Sequence, residues 1–235
     1  MVARTQSARG RYTEARASFD EAIALIGSSS PNSIALARAV NDRAGLLEQI
    51  GDLAAATAAY RQAAGIYRAR LGNEHAFTAI VDANVASTLL ARDSVAAAEP
   101  LLRHALDVMT KAWSAEHPSL GPVLIDLGTV EWRKGTLPDA EASLRRALAI
   151  VEKALPAGHW RIAQARIRLG RCLSAMGRRE DAEPLLLAAL ELLAPMRTQR
   201  RRDHAEALLG LEELYAATGR PAEARRYREQ RTGTG

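Results

Sequence analysis

Residues 135–151 read Gly-Thr-Leu-Pro-Asp-Ala-Glu-Ala-Ser-Leu-Arg-Arg-Ala-Leu-Ala-Ile-Val, and residues 177–193 answer them with Gly-Arg-Arg-Glu-Asp-Ala-Glu-Pro-Leu-Leu-Leu-Ala-Ala-Leu-Glu-Leu-Leu. A glycine, an alanine five residues on, a leucine four after that and a second alanine three further along all return after 42 residues. Working outward, Ala56, Ala98, Ala140, Ala182 and Ala224 keep this spacing, and Ala15 falls one residue short of it. Five residues before these anchors stand Gly10, Gly51, Asp93, Gly135, Gly177 and Gly219; four after them stand Phe19, Tyr60, Leu102, Leu144, Leu186 and Arg228. Six copies in one register define an array whose unit is too small to bury its own apolar face and is stable only when stacked on neighbours.

The unit is helical. Leu124, Leu127, Gly128 and Glu131 return to one side of a first helix at steps of three and four. Gly135 ends that helix, Pro138 suits the first turn of the next, and Ala140, Leu144, Ala147, Leu148 and Val151 form the packing stripe of a second helix. Composition agrees: 48% of residues are hydrophobic but only 4% aromatic, which fills helices better than sheets. Twelve residues before the anchors lie Ala3, Ala44, Ala86, Gly128 and Gly170, and seven after lie Ala22, Ala63, Ala105, Ala147 and Ala189. Small side chains at these places permit close helix crossings, at roughly 8–10 Å between axes.

Leu127-Gly128, Leu169-Gly170, the Ala140-x3-Leu144 pair and Ala147 resemble the tetratricopeptide pattern. The step of 42 exceeds the usual ~34-residue repeat. With Ala98-Glu99-Pro100-Leu101-Leu102, Ala140-Glu141-Ala142-Ser143-Leu144 and Ala182-Glu183-Pro184-Leu185-Leu186 it is similar to the lengthened kinesin-light-chain type. Leu71-Gly72-Asn73-Glu74-His75 and Ala115-Glu116-His117-Pro118 resemble the linkers of that type. The resemblance implies an all-α, right-handed superhelical solenoid of stacked antiparallel helix hairpins, with about five full repeats after a truncated first one. The expected organisation is one array over residues 1–230, in units of about 1–30, 31–74, 75–117, 118–158, 159–203 and 204–230, followed by a flexible tail at 231–235.

Departures from the pattern carry their own expectations. The first unit has at most nine residues ahead of Gly10, so Phe19, Ile23 and Ile26 are expected to be partly exposed, which offers a route to self-association. Pro122 implies that its helix begins near Ser119 or bends. Glu212 stands at a normally small position, and Arg228 at a normally apolar one, as in a polar terminal unit.

Chemistry finds no carrier. The sequence has no phosphate-binding glycine loop, no H-E-x-x-H pair, no G-x-S-x-G elbow and no paired CxxC, so no enzyme, cofactor or metal site is expected. His75, His117 and His159 recur at 42-residue steps, but equivalent positions in stacked units lie on the order of 10 Å apart or more, too far to share zinc. They are expected to cap or pair locally. The single cysteine, Cys172, aligns with Leu46, Thr88, Val130 and Leu214 and reads as a small packing residue. With no internal disulfide, no leader-like opening and no long apolar run, the cytoplasm is the default compartment and a membrane span is excluded.

The net charge of +5 is concentrated. Residues 161–202 hold ten arginines against four acidic residues, and the remainder is close to balanced. Nucleic acid is disfavoured because the basic stretch, which includes Arg197 and Arg200 to Arg202, lacks interleaved stacking aromatics beyond Trp160.

Peptide capture on the concave face is what the resemblance implies, with ligand-facing residues at 18, 15, 14, 11 and 8 before each anchor. The candidate binding residues are Arg38, Asn41, Asn84, Trp132, Arg133, Arg168 and Arg171. Asn41 and Asn84 offer amide donors and acceptors for a ligand main chain. Trp132 beside three arginines suits an acidic segment with an aromatic anchor. The expected function is a non-enzymatic protein-interaction scaffold. The alternative is a detached C-terminal regulatory region of a larger bacterial signalling protein, such as a serine/threonine kinase or a transcription activator.

Overall fold

In a computed structural model that describes residues 2–8 and 10–233, the described residues form twelve α-helices. They are α1 (Val2–Ala8), α2 (Tyr12–Ser29), α3 (Ile34–Gln49), α4 (Leu53–Leu71), α5 (Ala76–Ala91), α6 (Val95–Ala112), α7 (Leu120–Arg133), α8 (Leu137–Ala154), α9 (Trp160–Ala175), α10 (Arg179–Leu193), α11 (Arg201–Ala217) and α12 (Pro221–Thr232). A short 3-10 turn, Ala194–Met196, follows α10. Part of the expected tail, Thr234 and Gly235, lies outside the described residues.

Contacts divide the chain into two compact units, residues 1–115 and residues 116–235. In the first, α1 packs on α2, α3 on α4 and α5 on α6, with α2 against α3 and α4 against α5 linking the pairs. In the second, α7 pairs with α8, α9 with α10 and α11 with α12, joined through α8 to α9 and α10 to α11. Each unit is a stack of helix hairpins.

The register residues explain this arrangement. Ala15, Ala56, Ala98, Ala140 and Ala182 have no exposed surface, and Ala224 is buried. The residue five before each anchor, whether glycine or Asp93, takes a positive φ between 62° and 89°, which reverses the chain between paired helices. A β-carbon added at Gly128 would lie 2.6 Å from Leu144, and one at Gly170 would lie 2.9 Å from Leu186, so these glycines allow the second helix to approach. The interior continues from hairpin to hairpin: Leu144, Leu169, Cys172, Leu173, Leu186, Leu211 and Leu214 join one buried cluster in the second unit.

The first hairpin corrects one expectation. Phe19 is buried, with 6% of its surface exposed, in a cluster with Ala3, Ala15 and Leu46. Seven residues suffice for α1 to cover it, because the contact is made through Ala3, at the small-residue position of the repeat. Ile23 and Ile26 remain half-buried. Pro122 lies in the first turn of α7, which starts directly after Ser119 as expected. Among the described residues, no helix is long and apolar enough to cross a membrane.

Candidate functional site

In the first unit, α5 is buried except at Phe77, Ile80, Asn84, Ser87 and Ala91. Intervals of three and four make this one continuous stripe, the face that α4 and α6 leave uncovered. The positions 18, 14 and 11 before the anchor fall on the stripe. Ala83 and Leu90, at 15 and 8, are buried, so the open face of α5 is narrower than the sequence implied. In α7 the same narrowing removes Thr129, which is buried and donates its hydroxyl to the Ile125 carbonyl at 2.7 Å.

Two predicted residues meet on this face. The Asn84 side-chain Nδ2 donates to Asn41 Oδ1 at 3.1 Å, linking α5 to α3. That bond leaves an amide acceptor on Asn84 and an amide donor on Asn41 next to each other. Arg38 is exposed one turn earlier on α3. With Asp42 it acts on the Tyr67 phenol, which burial pushes above its ordinary value. Phe77 is 53% exposed, with ring centroids 6.5 Å from Tyr67 and 5.4 Å from His75. Sequence reasoning missed Phe77. Its signal was an aromatic side chain seven residues ahead of Asn84, on the same helical stripe.

The helix that presents this stripe is braced from behind. Arg68 of α4 donates through Nη2 to both oxygens of the buried Asp82, at 2.9 and 3.1 Å, and Thr57 of α4 bonds Thr88 of α5 at 3.0 Å.

In the second unit, Trp132 is half-buried near the end of α7 and the Arg171 guanidinium lies 4.8 Å from its ring centroid. Arg133 beside it is exposed. Arg168 and Arg171, one turn apart on α9, both donate to Oε1 of Glu206 on α11, the second at 3.1 Å. Arg171 reaches further to Glu213 Oε2, also at 3.1 Å. Arg168, Arg171 and Glu206 have side chains only about 15% exposed. Burial pulls the Arg168 guanidinium down to about 10, with Asp126 opposing that shift. Trp132, Arg168 and Arg171 therefore do come together, and the guanidinium groups are engaged by the protein's own carboxylates. For Arg171 and Glu213 alone the signal was available in the sequence, because the two share one position of the repeat.

His75 and His159 cap α5 and α9, and His117 makes the same local bond just ahead of α7. Nδ1 accepts from the backbone N–H two residues on: from Phe77 to His75 at 3.1 Å, from Ser119 to His117 at 3.3 Å and from Arg161 to His159 at 3.2 Å. Ser33, one step earlier in the register, caps α3 through Leu36 at 3.1 Å. Cys172 is fully buried, and burial pushes its thiol up to about 11, which makes it inert at neutral pH.

A second cluster gathers at the start of α9. His159 stacks on Trp160, with centroids 5.6 Å apart, and the Arg161 and Arg200 guanidiniums lie 4.5 and 3.5 Å from the Trp160 ring centroid. Arg200 immediately precedes α11, so this cluster joins the beginnings of two successive first helices.

Comparison with known proteins agrees with this architecture. Residues 2–69, 77–153 and 127–194 match a family model described as tetratricopeptide repeat. No curated protein matches the sequence. Among solved structures, one described as the nearly identical TPR-like repeats of a Podosopora anserina putative kinesin light chain is 22% identical, over 84% of this chain and 94% of that one, with a TM-score of 0.61. BtubC from P. vanneervenii is 17% identical over 94% and 89%, with a TM-score of 0.68. YrrB, described as a TPR protein with an unusual peptide-binding site, is 20% identical over 88% of each chain, with a TM-score of 0.50.

Proposed function

The chain belongs to the tetratricopeptide repeat family, and from that premise we propose that it is a non-enzymatic scaffold for protein–protein interaction that holds an extended peptide along the open stripe of its first helices. The observation that carries this reading is the Asn41–Asn84 amide pair. Its remaining acceptor and donor match the N–H and C=O of a ligand main chain, while Phe77 and Ile80 offer apolar contact on the same stripe. Arg38 adds charge at the margin. YrrB's described peptide-binding site is in keeping with such a role.

Within the second unit, Trp132, Arg133, Arg168 and Arg171 make a proposed surface of their own, suited to an acidic segment with an aromatic anchor. A ligand carboxylate there exchanges with Glu206 and Glu213 instead of meeting bare arginines. The geometry thus favours main-chain capture in the first unit over carboxylate capture at Arg168 and Arg171. A buried, unreactive thiol at Cys172 suits the cytoplasm, where we place this role.

Selection of peptides from a displayed random library, followed by titration against the Asn41→Ala/Asn84→Ala variant, tests the reading. Two lost main-chain hydrogen bonds predict about a tenfold weakening. Peptides that bind both forms equally, or a library that yields no binder, overturn it.

A further inference from the structure

The hairpin of α9 and α10 covers the far end of its second helix completely. Ala189 and Leu193 of α10 are buried in one cluster with Ala163 and Ile167 of α9 and Ala207 of α11, and Trp160, Leu190 and Leu192 pack against it. Counted from the anchor Ala182, α9 supplies a large residue 22 before, a small one 19 before and a branched one 15 before. From α10 come the positions 7, 8, 10 and 11 after the anchor, and from α11 the residue 17 before its own anchor, Ala224.

In the first hairpin the same floor lies open. Ala22, Ile23, Leu25 and Ile26 of α2 and Ala39 of α3 stand at the corresponding places. Because α1 begins 13 residues before Ala15, none of its residues takes the place of Trp160, Ala163 or Ile167. Leu25 is therefore 70% exposed, whereas its counterparts Ile66, Val108 and Ile150 are buried. Likewise Ala22, Ile26 and Ala39 are half-buried, whereas their counterparts Ala63, Tyr67 and Val81 are buried.

The register specifies what fits on this floor. Nineteen residues before the later anchors stand Ala37, Ala79, Gly121, Ala163 and Ala205. A β-carbon added at Gly121 would lie 2.6 Å from Val151 and 3.6 Å from Ile150, the residues that correspond to Ile26 and Leu25. A helix lying here must present a small residue at its closest point and apolar residues one turn to either side.

We propose that the open face of Ala22, Leu25 and Ile26, flanked by Ala39, docks an amphipathic helix of a partner protein. That helix runs antiparallel to α2 and carries a large apolar residue, a small residue three further on and a branched apolar residue four after that. It repeats, with another chain, the packing that α9 makes on α10 within this one. The face uses none of the residues of the Asn41–Asn84 stripe and does not rest on that reading. A second copy fits less well. Among the described residues the exposed large apolar side chains Val2, Leu25, Ile50, Phe77 and Leu187 each lie on a different helix or turn, so no helix offers two of them on one face.

The test uses the full chain and a fluorescein-labelled ten-residue peptide that copies His159 to Arg168, its helix fixed by a lactam between Gln164→Lys and Arg168→Glu, read by anisotropy. The expected result is saturable binding that changes little with salt, because the contact is apolar. Leu25→Glu should weaken it at least about tenfold and Leu25→Ala about fivefold. A peptide carrying Ala163→Leu should also lose about tenfold, since the added bulk falls at the close crossing. The Asn41→Ala/Asn84→Ala chain should bind as the parent does. Both Leu25 variants should keep the parent's helicity by circular dichroism, because the side chain is mostly exposed. No binding, an unchanged affinity of the Leu25→Glu chain, or a leucine peptide that binds as well as the alanine one would each overturn the proposal. So would a dimer, seen by light scattering, that Leu25→Glu dissociates, which would give the face to a second copy.

Discussion

Glu212 and Arg228 occupy, in the last hairpin, the two positions held by Gly128 and Leu144 in the hairpin of α7 and α8. Where the glycine lets a leucine close in, the glutamate instead accepts from Arg228 Nε at 2.7 Å and from Arg231 at 2.9 Å. The Glu212 side chain is only 9% exposed, so one small–large apolar contact has been exchanged for a nearly buried, doubly paired carboxylate. The unexpected glutamate does not loosen the hairpin, because its charge stays compensated.

Single and double replacements at this pair should be strongly non-additive. Arg228→Leu restores the usual apolar residue but removes one of two partners from a buried carboxylate, and should destabilise α11 and α12 by about 1–3 kcal/mol. Glu212→Ala added to it recreates the small–large pair, and the double variant should return to within about 1 kcal/mol of the parent. A double-mutant cycle by urea denaturation measures the coupling. Acid acts on the same pair. Burial, the largest influence, raises the Glu212 carboxyl, but the Arg228 and Arg231 hydrogen bonds together outweigh it and hold the group below its ordinary value. A lowered folded value means that its stabilisation is complete above the unfolded carboxylate pKa and is lost as pH falls through the folded one. Hydrogen exchange in α12 should therefore accelerate below about pH 4.5 in the parent and respond less to pH in the double variant.

Two glycines separate contact from conformation. Gly128 has ordinary helical geometry but a β-carbon there would sit 2.6 Å from Leu144, whereas Gly135 has φ of 82° and nothing within 4 Å of an added β-carbon. Gly135→Ala should lose about 1 kcal/mol through backbone strain alone. Gly128→Leu should lose about 1–3 kcal/mol through overpacking. Thermal denaturation reads both losses, and only the second should be partly relieved by Leu144→Ala.

The anchors, the helix reversals and the hairpin pairing were all legible in the sequence because they repeat. Ala56, Ala98 and Ala140 must each meet the same neighbours, so one copy explains the next. What did not repeat was not legible. One repeated contact was missed as well: Phe19 is covered by Ala3, which keeps its place in the register on a helix of only seven residues. Arg168 and Glu206 meet across two hairpins at a separation of 38 residues, which the 42-residue register does not highlight. The same holds for Trp160 and Arg200, forty residues apart.

The histidine caps make one linker sensitive to acid. Burial, followed by Arg161 and Arg200, lowers the His159 pKa from its ordinary 6.5. Nδ1 must be unprotonated to accept from the Arg161 N–H, so the cap contributes fully above the unfolded value and is lost as pH falls through the folded one. His159→Ala should destabilise by about 1 kcal/mol at pH 7.5. His159→Ser, which copies the Ser33 cap, should keep most of that stability and reduce the pH dependence of unfolding between about 5 and 7. Unfolding curves across that range decide the matter, and an unchanged pH profile for the serine variant counts against the cap.

Glu206 holds two guanidiniums, and its removal should be felt in stability and in binding with opposite signs. Glu206→Ala leaves Arg168 without its ion-paired carboxylate, with only the fields of Asp126 and Asp203 acting on it, and Arg171 with Glu213 alone, both guanidiniums largely buried. The expected loss is about 2–4 kcal/mol in the packing of α11 on α9, smaller than for a fully buried pair because some water reaches the group. Glu116, paired with Lys153 where both side chains are mostly exposed, gives the contrast: Glu116→Ala should leave the melting curve where it was. The same Glu206→Ala change removes the carboxylate with which an acidic ligand at Trp132 and Arg171 would have to compete. Affinity for an acidic, aromatic-containing peptide should then rise by about fivefold or more even as the fold weakens. Calorimetric titration at a temperature well below unfolding separates the two effects. A variant that is less stable and binds no better would mean that Arg168 and Arg171 serve only to hold α11 against α9.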